Sequence, residues 1–493
     1  MDLLEIREEL DKLDGELAAL FVRRMELSAA VAKEKERLGK PVFDPAREEE
    51  KLEQVRGLCG EKFGGYACEL FEKIMSISRS YQKSLLGRFG LLGQKLSHSY
   101  SPQIHKIFGG YDYELFEREP EDVAKFLEKR EFDGINVTIP YKKTVIPLCD
   151  EISENARRIG SVNTIVKKPD GTLRGDNTDY YGFRELVRHA QIEPKGRKCL
   201  ILGDGGVAPT IRAVLTDLGA AEIITVSRRG EQNFDNLSRH YDSQIIVNAT
   251  PVGMYPANGQ NLVDITNFNN LCGVLDVIYN PDKTQLILDA EAAGIPCAGG
   301  LYMLVAQARR GCELFVDKKI PQAQNDAVFR CVAADMKNIA LIGMPGCGKT
   351  SAGRELKKLT GRRLVDMDEE IVSRVGCSIP EYFAAHGEED FRRVETEVLS
   401  DFSKRSGLII ATGGGVVTRP ENYNLLRQNS VVVFLHRKDL LSLDKSGRPV
   451  SQSRRIEDIY NERLPMYKGW SDFTVECENP ASNARRIMEE LLK

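Results

Sequence analysis

Gly343-Met344-Pro345-Gly346-Cys347-Gly348-Lys349-Thr350 satisfies the spacing G-x-x-x-x-G-K-[ST]. In such a loop the backbone N–H groups cradle phosphates, the lysine reaches the β/γ oxygens and the hydroxyl takes Mg²⁺. The spacing predicts ATP-type binding by Gly346, Cys347, Gly348, Lys349, Thr350 and Ser351. Further on, Val365-Asp366-Met367-Asp368 reads as a strand end that turns both carboxylates to one side. One of Asp366 and Asp368 can serve the magnesium shell with Thr350 while the other receives the proton of an attacking hydroxyl. A second cluster lies in Asn136-Val137-Thr138-Ile139-Pro140-Tyr141-Lys142. Val137 and Ile139 alternate with polar residues as a strand end does, and Pro140 stops the ladder for want of an N–H. Lys142 then stands beside Asn136 and Thr138, a group suited to a small polyhydroxylated ligand and to proton exchange during hydride transfer.

Hydride transfer needs a dinucleotide, and the next segment offers a place for one. The apolar strand Lys198 to Leu202 enters Gly203-Asp204-Gly205-Gly206-Val207-Ala208, and a helix follows. That context makes a glycine fingerprint credible. The following strand, Ile223 to Val226, ends in Ser227-Arg228-Arg229. An acidic residue there would hold a ribose 2′-hydroxyl; two arginines favour the 2′-phosphate of NADP.

The N-terminal elements follow a different period. Leu3, Ile6, Leu10, Leu13, Leu17, Leu20, Leu27 and Val31 form a heptad seam on a helix from Asp2 to Leu38, with Arg24 inside the seam. A guanidinium there requires an anion. Asp44-Pro45 reads as a cap for a second helix to about Leu58, and a third runs from about Tyr66 to Ser84. Arg24 and Lys35 share one face, whereas Arg7 lies about 25 Å along the helix from Arg24 at about 1.5 Å per residue. A site using all three must take Arg7 from a second copy of the helix. Ser78 and Gln82 share a face of the third helix.

Length and composition bound the rest. A chain of 493 residues suggests about three domains, and its net charge of −4 offers no attraction to nucleic acid or membrane surfaces. No apolar run approaches the roughly 20 residues that span a bilayer. The acidic start Met1-Asp2-Leu3-Leu4-Glu5 is unlike a signal peptide, and the 11 cysteines are scattered without C-x-x-C or zinc spacing. A reduced, cytoplasmic protein is expected.

Three resemblances cover nearly the whole chain. Leu4-x-Ile6-Arg7, Arg24-x-Glu26-Leu27, Lys35, Pro41-Val42-x-Asp44 with Arg47-Glu48, and Ile74-Met75-x-Ile77-Ser78-Arg79-x-x-Gln82 resemble the all-helical chorismate mutases. That family implies an intertwined homodimer and rearrangement of chorismate to prephenate by positioning and charge stabilisation alone. The resemblance implies carboxylate clamping by Arg24 and the partner copy's first-helix arginine (position Arg7), donation to the ether oxygen by Lys35 and Gln82, a ring-hydroxyl contact for Glu48, and support from Asp44, Arg47 and Ser78.

The middle of the chain resembles shikimate dehydrogenases. The resemblance rests on Ser97-His98-Ser99-Tyr100-Ser101-Pro102, the Lys142 segment, Gly160-Ser161-Val162-Asn163-Thr164, Gly175-Asp176-Asn177-Thr178-Asp179, the glycine turn, Asn248-Ala249-Thr250-Pro251-x-Gly253-Met254, Asp276-Val277-x-Tyr279-Asn280-Pro281 and Met303-Leu304-Val305-x-Gln307. It implies shikimate binding by Ser99, Ser101, Asn136, Thr138, Asn163, Asp179, Tyr279 and Gln307, with Lys142 paired to Asp179. It also implies NADP binding by Gly203, Gly205, Gly206, Val207, Ser227, Arg228, Arg229, Thr250 and Met254. Asp204 and Val207 replace small residues of the phosphate turn, where an acid repels a pyrophosphate, and Tyr302 stands where the family has a small residue, crowding the nicotinamide side.

The last third resembles shikimate kinases through the phosphate loop, Asp366-x-Asp368, Phe391-Arg392-x-x-Glu395, Gly413-Gly414-Gly415, Gly447-Arg448-Pro449 and Arg463-x-Pro465-x-Tyr467. It implies that Asp368, Arg392, Gly414 and Arg463 bind shikimate, that Asp368 accepts the proton, and that Arg448 on a lid between Arg437 and Val450 stabilises the transferred charge. The expected architecture is multidomain, in about three parts. An all-α three-helix mutase occupies about 1–86. A two-lobed α/β dehydrogenase follows over about 87–333. Its substrate lobe is about 87–187 plus C-terminal helices, and its Rossmann NADP lobe about 188–300. An α/β P-loop kinase, a parallel sheet flanked by helices, takes about 334–493. Two alternatives stay open at this point: a non-catalytic dimerising or sensing helical part, and a quinate-type middle domain.

Overall fold

The computed structural model describes residues 1–38, 40, 42–96, 99–437 and 455–491. They form two compact units, Met1–Glu185 with Leu304–Val328 and Leu186–Met303 with Phe329–Lys493. Ser97, His98, Pro41 and the Arg448 part of the lid lie outside the described residues.

The first unit begins with α1 (Leu3–Arg37), whose first N–H groups are held by Asp2 Oδ1 from Leu4 and Glu5. α2 (Pro45–Leu86) starts on Asp44, which accepts from the Arg47 N–H at 3.2 Å. It is broken at Gly60, with φ 67° and ψ 177°. The chain reverses there: Cys68 Sγ donates to the Leu52 carbonyl at 3.5 Å, although sixteen residues of unbroken helix would span about 24 Å. The second and third helices are thus continuous up to one glycine, and the separating loop expected between Leu58 and Tyr66 does not exist. The heptad leucines stand exposed along α1, with Leu13, Leu17 and Leu20 between 54% and 62% accessible.

A six-stranded sheet of order β2-β1-β3-β5-β6-β4 follows, from β1 (Phe89–Gly93), β2 (Tyr113–Glu117), β3 (Gly134–Val137), β4 (Glu151–Ile152), β5 (Thr164–Lys167) and β6 (Leu173–Asp176). β1, β2 and β3 are parallel, and β5 runs antiparallel to β3 and β6. The apolar β3 ends at Val137, earlier than its alternation suggests, and Ile139 is 77% exposed. The helix Leu301–Val316 packs on this sheet. Phe315 stacks on Phe89 at 5.1 Å, and a Cβ on Gly134 would sit 2.3 Å from the Phe315 ring.

The second unit holds two parallel sheets. One is ordered β11-β10-β9-β7-β8, from β7 (Lys198–Leu202), β8 (Glu222–Val226), β9 (Ile245–Asn248), β10 (Gly273–Asp276) and β11 (Cys297–Ala298). The other is ordered β13-β14-β12-β15-β16, from β12 (Asn338–Ile342), β13 (Leu364–Asp366), β14 (Ile409–Ala411), β15 (Ser430–His436) and β16 (Phe473–Glu476). Polar loops join their lobes. The Lys283 N–H donates to the Gln428 carbonyl at 2.9 Å, and Lys337 Nζ lies 3.2 Å from Asp282. No pattern in the sequence announces this contact.

Gly60 occupies backbone space that side chains rarely enter. Gly60→Ala should destabilise the helical hairpin by about 1–3 kcal/mol. Amide exchange should quicken between Leu52 and Cys68 while β12 keeps its protection.

Candidate active sites

A cavity of about 250 Å³ opens among the helices and is lined by Arg24, Ser28, Lys35, Asp44, Arg47, Glu48, Ser78, Arg79 and Gln82, among others. The Arg24 guanidinium donates to Ser78 Oγ, and burial depresses its pKa. Lys35 Nζ donates to the Val42 carbonyl. Glu48 pairs with Arg79, and Arg47 turns outward to Glu50. Gln82 is buried, with its Oε1 unpartnered among the described residues. The cavity is rich in donors for an anion. Arg7 does not line it. Ser28 and Arg79 were not singled out from sequence, although Arg79 sits inside the third-helix motif. Ser28, one turn after Arg24, could have been found by helical spacing.

In the six-stranded sheet, Lys142 Nζ and Asp179 Oδ2 lie 2.7 Å apart, both partly buried. Asp179 opens the helix Thr178–His189 just after β6, and the Lys142 carbonyl accepts from the Val162 N–H at 2.8 Å. Asn163 Oδ1 accepts from the Thr178 N–H at 2.7 Å, and Thr178 Oγ1 reaches Gln307 Oε1 at 3.3 Å. Asn136 has both ends of its amide engaged: Tyr113 OH donates to its Oδ1 at 2.7 Å, and its Nδ2 donates to Thr164 Oγ1 at 3.0 Å. Tyr113, Thr164 and Thr178 therefore orient this cluster. Thr164 and Thr178 lay within recognised motifs, but nothing local marked Tyr113. Thr138 packs at the end of β1, where a Cβ on Gly93 would meet it at 2.7 Å. Ser99 Oγ accepts from the Ser101 N–H at 3.2 Å, and Ser101 opens the helix Ser101–Gly109.

In the second unit, Gly203 takes φ 98°, and a Cβ there would lie 2.6 Å from Thr250. Gly205, Gly206 and Asp204 are exposed, and Val207 precedes the helix Ala208–Asp217 without a side-chain cap. Arg228 and Arg229 are exposed after the buried Ser227 and make no ion pair among the described residues. Thr250 is held by Asn248 Oδ1, which accepts from both its N–H and its hydroxyl. Asn248 in turn donates to the buried Asp276, whose pKa burial raises to about 6. Tyr279 follows in the loop after β10, and Met254 is exposed. The Tyr302 ring stacks on His189 at 3.9 Å and packs edge-on to Phe329, so it fills an aromatic cluster.

The phosphate loop leaves β12 through Gly343, Gly346 and Gly348, all at positive φ. Lys349 Nζ donates to the Gly343 and Met344 carbonyls at 2.9 Å. Thr350 Oγ1 donates to Asp366 Oδ2 at 2.6 Å. Asp366 caps the helix Met367–Val375, so Asp368 belongs to a helical first turn rather than to the strand. Strand alternation is therefore not what aligns the two carboxylates. Both still line one cavity of about 410 Å³ with Gly346, Gly348, Ser351, Arg392, Glu395, Gly414 and Arg463. Cys347 points into the core and is 2% exposed. Burial raises the Asp368 pKa, opposed by the nearby Lys349 charge.

Glu395 is fully buried and accepts from Arg392 at 2.7 Å. Sequence reading placed it in a motif but gave it no role. The glycine triplet makes room for these groups. A Cβ on Gly413 would fall 2.2 Å from Glu395, one on Gly414 2.5 Å from Pro345, and one on Gly415 2.1 Å from the Arg392 guanidinium. Arg463 and Tyr467 both donate to the Gly414 carbonyl. Removing one partner of a buried pair leaves a charge uncompensated. Glu395→Ala should therefore lower the stability of this lobe by about 3–5 kcal/mol, seen in its denaturant midpoint.

Family models match three stretches: "Chorismate mutase type II" over residues 6–83, "Shikimate dehydrogenase substrate binding domain" over 91–165, and "Shikimate kinase" over 345–493. The NADP(+) shikimate dehydrogenase of Clostridium beijerinckii is 36% identical over 259 residues, 48% of this chain and 95% of that protein. That of Methanopyrus kandleri is 35% identical over 273 residues, 49% of this chain and 94% of that protein. A solved chorismate mutase/shikimate 5-dehydrogenase fusion from Clostridium acetobutylicum aligns at 36% identity with a TM-score of 0.48, covering 50% of this chain and 96% of that one. The chain belongs to the shikimate dehydrogenases and carries, in one polypeptide, a chorismate mutase segment before that enzyme and a shikimate kinase segment after it.

Proposed function

We propose that the chain's own residues perform the three reactions as follows, with domain boundaries near residues 86 and 333. The observation that carries the central reading is the 2.7 Å Lys142–Asp179 pair beside the Asn163–Thr178–Gln307 network. Lys142 exchanges the proton of the reacting oxygen, and Asp179 keeps it oriented. Ser99, Ser101, Thr138, Asn163 and Gln307 bind the remaining hydroxyls and the carboxylate, Asn136 with Tyr113 shapes their wall, and Tyr279 adds a contact. NADPH, when bound, supplies the hydride. The exposed Arg228 and Arg229, without an ion pair among the described residues, suit its 2′-phosphate, and the open glycine turn with Thr250 suits its pyrophosphate.

In the kinase, Lys349 and the loop N–H groups hold ATP phosphates, and Asp368 accepts the shikimate hydroxyl proton. Arg392 and Arg463 meet the shikimate carboxylate against the Gly414 backbone. Thr350 and Asp366 offer only oxygen donors, which suits Mg²⁺; with it bound, phosphate charge is neutralised. Arg448 is assigned to the lid by resemblance. In the mutase, Arg24, Lys35, Gln82 and Ser78 form most of a chorismate site. The exposed α1 seam and the absence of Arg7 from the cavity support a homodimer in which the partner chain supplies that arginine. The described residues include no helix long and apolar enough to cross a membrane. Eleven unpaired cysteines suit a reducing, cytoplasmic setting.

The first test supplies the purified chain with 3-dehydroshikimate, NADPH, ATP and Mg²⁺. NADPH loss should match shikimate 3-phosphate formed, and shikimate accumulating without phosphorylation would contradict the kinase assignment. Lys142→Ala should cut dehydrogenase turnover about 10²–10⁴-fold while phosphorylation of added shikimate and mutase activity persist. Chains carrying Arg7→Ala mixed with chains carrying Lys35→Ala should recover part of the mutase activity that each lacks alone; no recovery would refute the shared site.

A further inference from the structure

A cavity of about 360 Å³ in the first unit belongs to none of the three reactions. Its size falls at the small end of ligand pockets, roughly 300–1,000 Å³. Seven cationic side chains line it against three acidic ones, in a chain whose net charge is −4. Lys83 comes from the end of the mutase helix α2, Arg174 from β6, and Arg310, Lys318 and Lys319 from the helix Leu301–Val316 and the turn after it.

The acids are already engaged, and two of the cations have partners outside the lining: Lys167 pairs with Asp133 at 3.2 Å and Lys168 with Glu151 at 2.7 Å. Glu313 accepts from Arg310 at 3.0 Å and from the Ile320 N–H at 2.9 Å, and Asp176 accepts from Ser153 at 2.7 Å. Asp317 is 4.0 Å from Lys83. Arg174, Lys318 and Lys319 make no ion pair among the described residues, and the buried Nε of Arg310 has no hydrogen-bond partner among them. Two lysines after a helix C-terminus could be satisfied by its dipole alone. That reason does not extend to Arg174, which stands on a strand. Charges converging from three segments repel one another unless an anion sits between them.

We propose that this cavity binds a small metabolite carrying at least two negative charges, of the dicarboxylate or phosphoester class. A single carboxylate would leave two of Arg174, Lys318 and Lys319 uncompensated, and the chain's net charge of −4 offers no attraction to a nucleic-acid strand. The pocket adjoins two active sites through the chain itself: Lys83 follows Gln82, and Arg310 lies one turn beyond Gln307.

The test is calorimetric titration of the full chain at low ionic strength with prephenate, shikimate 3-phosphate and inorganic phosphate in turn. The comparison protein carries Arg174→Glu, Lys318→Glu and Lys319→Glu, three exposed residues outside the catalytic machinery, with dehydrogenase turnover as a check on folding. Each product keeps its own active-site equivalent in both proteins. The native chain should take one further equivalent of at least one probe, weakened tenfold or more by the substitutions. A further equivalent of prephenate alone assigns the dicarboxylate class; one of shikimate 3-phosphate or phosphate assigns the phosphoester class. Equal stoichiometry in both proteins for all three probes, or a further equivalent that survives the substitutions, overturns the proposal.

Discussion

A cation taken out of water must be given something in return, and the active sites here are built under that constraint. Desolvating an ammonium or guanidinium costs several kcal/mol unless carboxylates or aligned dipoles replace the lost water. Arg24 leans on Ser78, and Lys35 on a carbonyl of the turn that follows its helix. Lys142 is held by Asp179, Lys349 by two carbonyls of its own loop, and Arg392 by Glu395. These partners fix position as well as charge. A lysine already aligned loses less entropy when its ligand arrives, which is the usual physical route to tight binding in a prebuilt site.

The parallel strands decide where these groups can stand. Parallel sheets bury both faces, so polar chemistry is pushed to the loops beyond the strand ends. The phosphate loop after β12, the glycine turn after β7 and the Tyr279 loop after β10 all obey this rule. Backbone room at these ends is scarce. The triplet Gly413–Gly415 is glycine because Glu395, Pro345 and Arg392 occupy the volume that side chains would need. The protein's own charged pair uses much of the room that the triplet leaves.

Legibility was high where chemistry depends on local spacing. The phosphate loop, the glycine turn with its arginines and the Lys142 segment each lie within a few residues, periodicity foretold α1, and apolar runs marked the strands around Leu200 and Ile224. It was lower where geometry turns on a single dihedral or a distant neighbour. A positive φ at Gly60 reverses the chain without any loop, and Asp366 becomes a helix cap, placing Asp368 on a helix. Tyr113 orients Asn136 from another strand, and Ser28 joins the mutase cavity because the third helix folds back beside it.

The sequence by itself determined the reaction classes and the order of the three enzymes along the chain, because motif spacing encodes local backbone geometry and ligand chemistry. Tertiary structure alone decided which partner holds each charge and how the loops around Lys283 and Gln428 join two lobes by polar contacts. It also decided that Lys83, Arg174 and Lys318 surround one cavity. These residues are far apart in the chain, and no local propensity carries information about a neighbour that only folding brings near.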